Sequence, residues 1–313
     1  YCNYLFLAKR LRVYTEVASD SITIPDFLEN RFKDRTKILR IISGLIILIF
    51  FTLYVSSGII AGGKTFESFF GLKFAYGAVF TLIIVVFYTF FGGFKAVSIT
   101  DAFQGLLMFC VLVSIPVVAY LNLDLPSDTN LIKEVSKLDV NHLNPFRDQT
   151  FWGVLGLLAW GFGYFGQPHI IVRFMAIRDS KELAKARRIG IGWMTIGLLG
   201  AIMSGLIGFV YFSQRGGLSD PETVFLKLGE LLFPPFFIGI IISAVLSAIM
   251  STISSQLLVT SSSVTKDFIF AFYKKEISQN TQTAISRYAV VVVAIGATVL
   301  AFISTDNVLN VVG

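Results

Sequence analysis

The chain has 313 residues, 55% of them in the set AVILMFWYC and only 15% charged, with 31 phenylalanines, a mean hydropathy of +0.74 and a formal net charge of +6. Soluble domains average about 25% charged residues, and the long stretches here without Asp, Glu, Lys or Arg point to membrane spans. A disordered chain, a collagen-like fibre and a disulfide-stapled secreted domain are excluded, the last because Cys2 and Cys110 alone cannot make a framework.

Taken in chain order, seven stretches are long enough to cross a hydrocarbon core of about 30 Å, which needs roughly 20 helical residues. They lie near 41–62, 74–91, 102–121, 151–171, 191–212, 233–265 and 288–304. Barrel strands fit poorly, because barrels alternate over runs of about ten residues instead of forming solid apolar blocks. Tyr1–Ala8 reads as the inner end of a truncated span, and a further apolar run starts after Asp306 and Asn307. A chain that opens on Tyr1 rather than Met is predicted to be the middle of a longer membrane protein.

Lys and Arg set the orientation. The alternate loops 9–40, 92–101, 172–190 and 266–287 hold nineteen of them, the intervening loops seven, and the proposed spans none. The first set is therefore predicted to face the cytoplasm. This placement explains the basic pI of 9.2 through topology and anionic headgroups and leaves no role for nucleic acid.

Within loop 9–40, Thr23 is placed to cap a short helix over 24–32, with Phe27, Leu28 and Phe32 on one face and Asp26, Glu29 and Arg31 on another. That helix either lies flat on the inner membrane surface or is a solvated linker. Next, Gly92-Gly93 in Tyr88-Thr89-Phe90-Phe91-Gly92-Gly93-Phe94-Lys95-Ala96 predicts a tight cytoplasmic turn between two spans. Asp101 then sits where the chain re-enters the membrane. A carboxylate at that depth is either an ion ligand or gate, or a helix N-terminus stabilised by the dipole.

The span 151–171 contains Trp160-Gly161-Phe162-Gly163-Tyr164-Phe165-Gly166-Gln167-Pro168-His169. Three glycines and a proline weaken a helix, and lipid does not tolerate freed backbone groups, so such a break either lines an enclosed cavity or is a proline kink beside glycine-mediated packing. Trp160, Tyr164 and Pro168 recur every four residues and could share one face. The span from 233 carries the hydroxyl stripe Ser243, Ser247, Ser251, Thr252, Ser254 and Ser255. Ala248, Ser251 and Thr252 stand at i, i+3 and i+4, so one carbonyl and two hydroxyls can point at one spot. Oxygens without a carboxylate suit a weakly held monovalent ion, although the same stripe also reads as small-residue packing. His142 and His169 have no matching Cys, Asp or Glu cluster for a metal, and a buried, hydrogen-bonded His169 is expected. No phosphate-binding loop, nucleophile elbow or zinc spacing points to an enzyme.

Together these residues resemble the sodium/solute symporter family, and most closely its proline-transporting branch. The matching stretches are Ile24 to Phe32, the turn Tyr88 to Phe94, Ala96-Val97-x-x-Thr100-Asp101, Trp160 to Met175, and Met250-Ser251-Thr252 with Gln256 to Val259. The resemblance implies an all-α integral membrane protein of the cell membrane with a LeuT-like fold of two inverted five-helix repeats. Residues 1–313 would be part of a single transporter domain, a fragment with about seven complete transmembrane helices running from the end of core helix 2 to the start of core helix 10. Core helix 1 and the C-terminal helices would lie outside it, and transport would belong to the longer protein.

By the same resemblance, Trp160, Tyr164, Pro168 and Tyr54 would face L-proline, while the Ala248 carbonyl, Ser251 and Thr252 would bind a coupling sodium ion. A second sodium site found in some relatives matches Asp101, Ser251, Ser254 and Ser255. No organic cofactor, nucleic acid or obligate protein partner is implied. Two alternatives stay open: a transporter-like sensory domain of a membrane histidine kinase, and a symporter of another organic solute.

Overall fold

The computed structural model describes residues 1–303 except 148, 219 and 274–276, and does not describe the side chain of Trp160. The apolar run expected after Asp306 and Asn307 lies outside the described residues. Among the described residues every regular element is helical, and five helices are long and apolar enough to cross a membrane. The chain divides into two compact units. Unit 1 comprises Tyr1–Gln104, Gln167–Lys185 and Leu246–Gly313, and unit 2 comprises Gly105–Gly166 and Ala186–Val245.

In unit 1, a π-helical turn at Asn3–Leu7 runs into α1 (Ala8–Val17), so the apolar start of the chain and the basic residues after it share one helical run. The short helix predicted after Thr23 is α2 (Ile24–Phe32): the Thr23 hydroxyl accepts from the Asp26 amide at 3.2 Å, Pro25 occupies the first turn, and Lys33 ends the helix in a left-handed conformation. It is not a free linker. Its Asp26 and Glu29 both bind Arg40, whereas Phe32, expected on the apolar face, is exposed.

Helix α3 (Ile38–Phe70) covers the span expected at 41–62 and continues outward for two more turns, taking Lys64 and Glu67 into the helix. Helix α4 (Phe74–Leu121) includes two expected spans, and Gly93, at φ 55° and ψ −158°, is its one residue with non-helical dihedrals. That conformation is open only to glycine without strain. The chain folds back there: the Tyr88 side chain meets that of Gln104, which would lie about 24 Å away along a straight helix.

The core of unit 1 is built on Val55, Ile59 and Ile60 of α3, Val85 of α4, and Ile253 and Leu257 from the long helix near the end of the chain. Close approach is set by glycine. A Cβ on Gly58 would stand 2.6 Å from Ile253, and one on Gly62 would stand 2.5 Å from Thr81.

Unit 2 holds α5 (Leu131–Leu138), α6 (Phe151–Gly163), most of α8 (Leu183–Ser213) and α9 (Val224–Leu232), while α7 (Pro168–Met175) returns to unit 1. Its core packs Val111, Ile115 and Ala119 against Ile207, Val210, Leu228 and Ile241. Helix α10 (Pro235–Ser263), extended by a π-helical segment at Val264–Phe270, starts in unit 2 and ends in unit 1, and α11 (Gln279–Ile303) packs along α3 in unit 1. Large apolar side chains such as Phe87, Phe103 and Val292 stand exposed on these long helices, as lipid-facing residues do. Cys2 and Cys110 are free and exposed.

Candidate functional site

The break expected in 151–171 is present. Helix α6 stops at Gly163, a turn is closed by the Phe165 amide donating to the Phe162 carbonyl (3.1 Å) and the Gly166 amide to that of Gly163 (3.0 Å), and α7 restarts at Pro168 after an extended Gln167. Proline fits this restart because the first helical position needs no amide donor. The extended Gln167 interrupts the helical path. A four-residue spacing presumes an unbroken helix, and the chain is not one between Tyr164 and Pro168. Within unit 2, no described residue stands within 4 Å of a Cβ on Gly161 or Gly163, so these glycines do not mediate packing there.

Tyr54, half-buried on α3, and Pro168 belong to unit 1, while Trp160 and Tyr164 belong to unit 2. Pro168 helps line a cavity of about 420 Å³ within unit 1, together with Val172 and Met175 of α7, Ile47 of α3 and Leu258 and Ser262 of α10. Asp20, Ser21 and Thr23 also line it, so the cavity reaches the loop that charge assigns to the cytoplasm. His169 beside it is largely buried edge-on to Phe51, with ring centroids 5.5 Å apart, but its Nδ1 has no hydrogen-bond partner among the described residues. The full hydrogen bonding expected of it is therefore not met at that nitrogen.

On α10 the Ser251 hydroxyl donates to the Ala248 carbonyl at 3.1 Å and the Thr252 hydroxyl donates to the same oxygen at 3.0 Å. Three uncharged oxygens thus converge within one turn, as the i, i+3, i+4 spacing allows. Ala248 and Thr252 remain exposed, so the hydroxyl lone pairs are accessible. Such a set offers part of the hard oxygen shell that a small cation takes.

The residues matched to a second site are only partly brought together. Asp101 Oδ2 accepts from the Ser255 hydroxyl at 3.2 Å, but the Ser254 hydroxyl donates to the Ser251 carbonyl at 3.0 Å and also meets Tyr88. The Tyr88 hydroxyl donates to the Met250 carbonyl at 2.9 Å. Sequence reasoning missed Arg173. It counted only as a cytoplasmic positive charge, yet its guanidinium donates to Asp101 Oδ2 at 2.6 Å and to the Ser255 hydroxyl at 2.8 Å. The signal was available, since an acid at membrane depth calls for a paired cation and Arg173 closes the last turn of α7.

A multi-pass helical membrane protein with one interrupted helix and one oxygen-bearing helix has the layout of a secondary transporter. Residues 1–313 match the model of the sodium:solute symporter family, and the chain belongs to that family. It is 50% identical, across all of its length, to sodium/proline symporter 2 of Staphylococcus saprophyticus and to the sodium/proline symporter of Staphylococcus aureus. It spans about 61% of the length of these curated relatives. Its fold matches the substrate-bound outward-open state of a Na+-coupled sialic acid symporter at a TM-score of 0.76 and 20% identity, over 99% of this chain and 65% of the other.

Proposed function

We propose that these residues serve sodium-coupled secondary active uptake of L-proline by alternating access, as part of a longer protein with about seven of its complete transmembrane helices here and two inverted five-helix repeats overall. The observation that carries this reading is the convergence of the Ser251 and Thr252 hydroxyls on the Ala248 carbonyl, in a chain 50% identical to named sodium/proline symporters. Sodium binds these oxygens with further ligands from another core helix and holds the two helices together. That ordering completes a chamber in which Trp160, Tyr164, Pro168 and Tyr54 face proline. The aromatic rings suit a flat, partly apolar pyrrolidine, and the amides freed at the helix break suit its carboxylate.

With both ligands bound the bundle rocks inward, and the 420 Å³ cavity beside α7 supports release towards the cytoplasm. A potential of 100 mV is worth about 2.3 kcal/mol per charge, so one sodium ion supports accumulation on the order of 50-fold before its own gradient is counted.

The test is uptake of labelled proline into proteoliposomes carrying the full-length protein. Uptake is expected to depend on sodium and to be competed by proline above other amino acids, sugars and anions. Ser251→Ala or Thr252→Ala should each raise the sodium concentration for half-maximal uptake about ten-fold, the loss of ~1.4 kcal/mol, whereas Trp160→Ala should mainly weaken proline affinity. Uptake indifferent to sodium would refute the reading.

A further inference from the structure

The motif from Tyr88 to Gly93 reads in the sequence as a turn, but its tyrosine reaches beyond the turn. The Tyr88 hydroxyl donates to the Met250 carbonyl of α10 at 2.9 Å. It also meets the side chains of Ser254 on α10 and of Gln104, which lies on the arm of α4 beyond the fold-back at Gly93. All of these residues belong to unit 1. Met250 comes just before Ser251 and Thr252 in the chain. From this contact we infer that Tyr88 is a positioning residue for the coupling ion, anchoring the α10 turn on which the Ser251 and Thr252 hydroxyls and the Ala248 carbonyl converge. This rests on the sodium-symport reading above and names a residue that sets the affinity of the same site.

The geometry separates anchoring from ligation. At 3.6 residues per turn, Met250 stands about 200° round the axis from Ala248 and from Thr252, so the phenol grips α10 from the side turned away from the three oxygens. Burial agrees with this: Met250 belongs to the core of unit 1 with Tyr88 packed against it, whereas Ala248 and Thr252 are exposed. Tyr88 therefore acts on the ion through the helix and is not a ligand. Its target is a backbone atom. In an α-helix a carbonyl accepts from the amide four residues on, which leaves its second lone pair for the phenol. A bond at that point fixes the rotation and height of the turn, and a binding constellation has to be held within about 0.5 Å of its working geometry. The oxygens of Ala248, Ser251 and Thr252 carry no formal charge, so the affinity of this set depends on their placement more than on Coulomb attraction.

The experiment measures binding of radiolabelled sodium to the purified full-length protein, alongside its unfolding midpoint in sodium-free buffer. Y88F keeps the ring and its packing and removes the hydroxyl alone. It is expected to raise the sodium concentration for half-saturation about five-fold, the effect of one hydrogen bond, while proline affinity at saturating sodium changes by less than about two-fold. In Y88F/S251A the two losses should combine to less than their product, because both act on one site. T65V is the control: the Thr65 hydroxyl donates to the Ala61 carbonyl of its own helix, and its loss should lower the unfolding midpoint without moving sodium binding. Unchanged half-saturation in Y88F, fully multiplicative losses in Y88F/S251A, or a shift in T65V as large as that in Y88F would overturn the proposal. Absence of sodium binding in the unchanged protein would instead defeat the reading on which it rests.

Discussion

The two units solve burial differently. Unit 1 buries Ser57, Thr65, Ser254, Ser255, Gln256, Thr260, Thr265 and Asp267 among others, whereas Ser204 is the one buried polar side chain of unit 2 among the described residues. Most of these hydroxyls are satisfied cheaply by the carbonyl one turn back, as with Thr65 to Ala61, Thr260 to Gln256 and Ser204 to Gly200. What sets unit 1 apart is buried charge: Asp267 is fully enclosed and Arg40 nearly so. Burying charge is costly without a partner, so unit 1 holds its enclosed carboxylate by ion pairing, whereas unit 2 buries almost only apolar side chains among the described residues.

The contrast breaks most visibly at Arg40. Its guanidinium binds Asp26 at 3.0 Å, Glu29 at 2.8 Å and Asp267 at 3.1 Å, and Asp267 also accepts from Thr23 at 2.7 Å. Arg40→Ala leaves a buried carboxylate without its cation and should destabilise the protein by about 3–5 kcal/mol, lowering the unfolding midpoint of the full-length protein in detergent. The nearest counterpart in unit 2 is Arg215, 3.7 Å from an Asp124 that is 91% exposed and stacked 3.8 Å over Tyr211. Arg215→Ala should cost about 1 kcal/mol or less. Equal losses from the two substitutions would erase the distinction between the units.

These ion clusters also mark the limit of what sequence could reveal. Local signals read true: Thr23 as a cap, Gly93 as the turn, and the interruption before Pro168 all depend on residues a few positions apart. The apolar ranges were legible because lipid imposes their length. Arg40 and Asp267 are 227 residues apart, and Arg173 lies 72 residues from Asp101 and 82 from Ser255. No periodicity links such positions, so basic residues that topology counting assigned to loops turned out to be structural partners. The four-residue spacing of Trp160, Tyr164 and Pro168 is a weak guide for the opposite reason. Spacing presumes an unbroken helix, and this one is broken between the second and third residues.

Unit 2 depends instead on close backbone approach, which sharpens the comparison at α8. A Cβ on Gly200 would stand 2.2 Å from the Leu112 carbonyl oxygen, and backbone cannot swing aside as a side chain can. Gly200→Ala should therefore cost about 1–3 kcal/mol through strain. On the same helix, a Cβ added to Gly205 would meet no described atom within 4 Å, and Gly205→Ala should stabilise by about 0.5–1 kcal/mol from helix propensity. Unfolding midpoints that move in opposite directions confirm close packing as the organising contact, and a shared sign refutes it.

The smallest effects belong to half-exposed carboxylates, one in each unit, and they test whether burial rather than polarity makes the difference. In unit 1 the Thr36 hydroxyl and the Leu39 and Thr36 amides hold Asp34 below the usual carboxylate range. In unit 2 the Arg147 guanidinium and the Asn141 amide do the same for Asp139. A depressed folded value means that each group contributes stability above its unfolded pKa of about 3.9, and that this contribution fades as pH falls through the folded value. Both sites are open to water, so Asp34→Asn and Asp139→Asn should shift the unfolding midpoint only slightly at pH 7, by similar amounts, and less in high salt. The shifts should shrink further as the pH is lowered below about 4, where the native carboxylates take up protons as well. If Asp34→Asn were as damaging as Arg40→Ala, the polar contacts of unit 1 would matter irrespective of their depth, and buried charge would no longer explain why the two units differ.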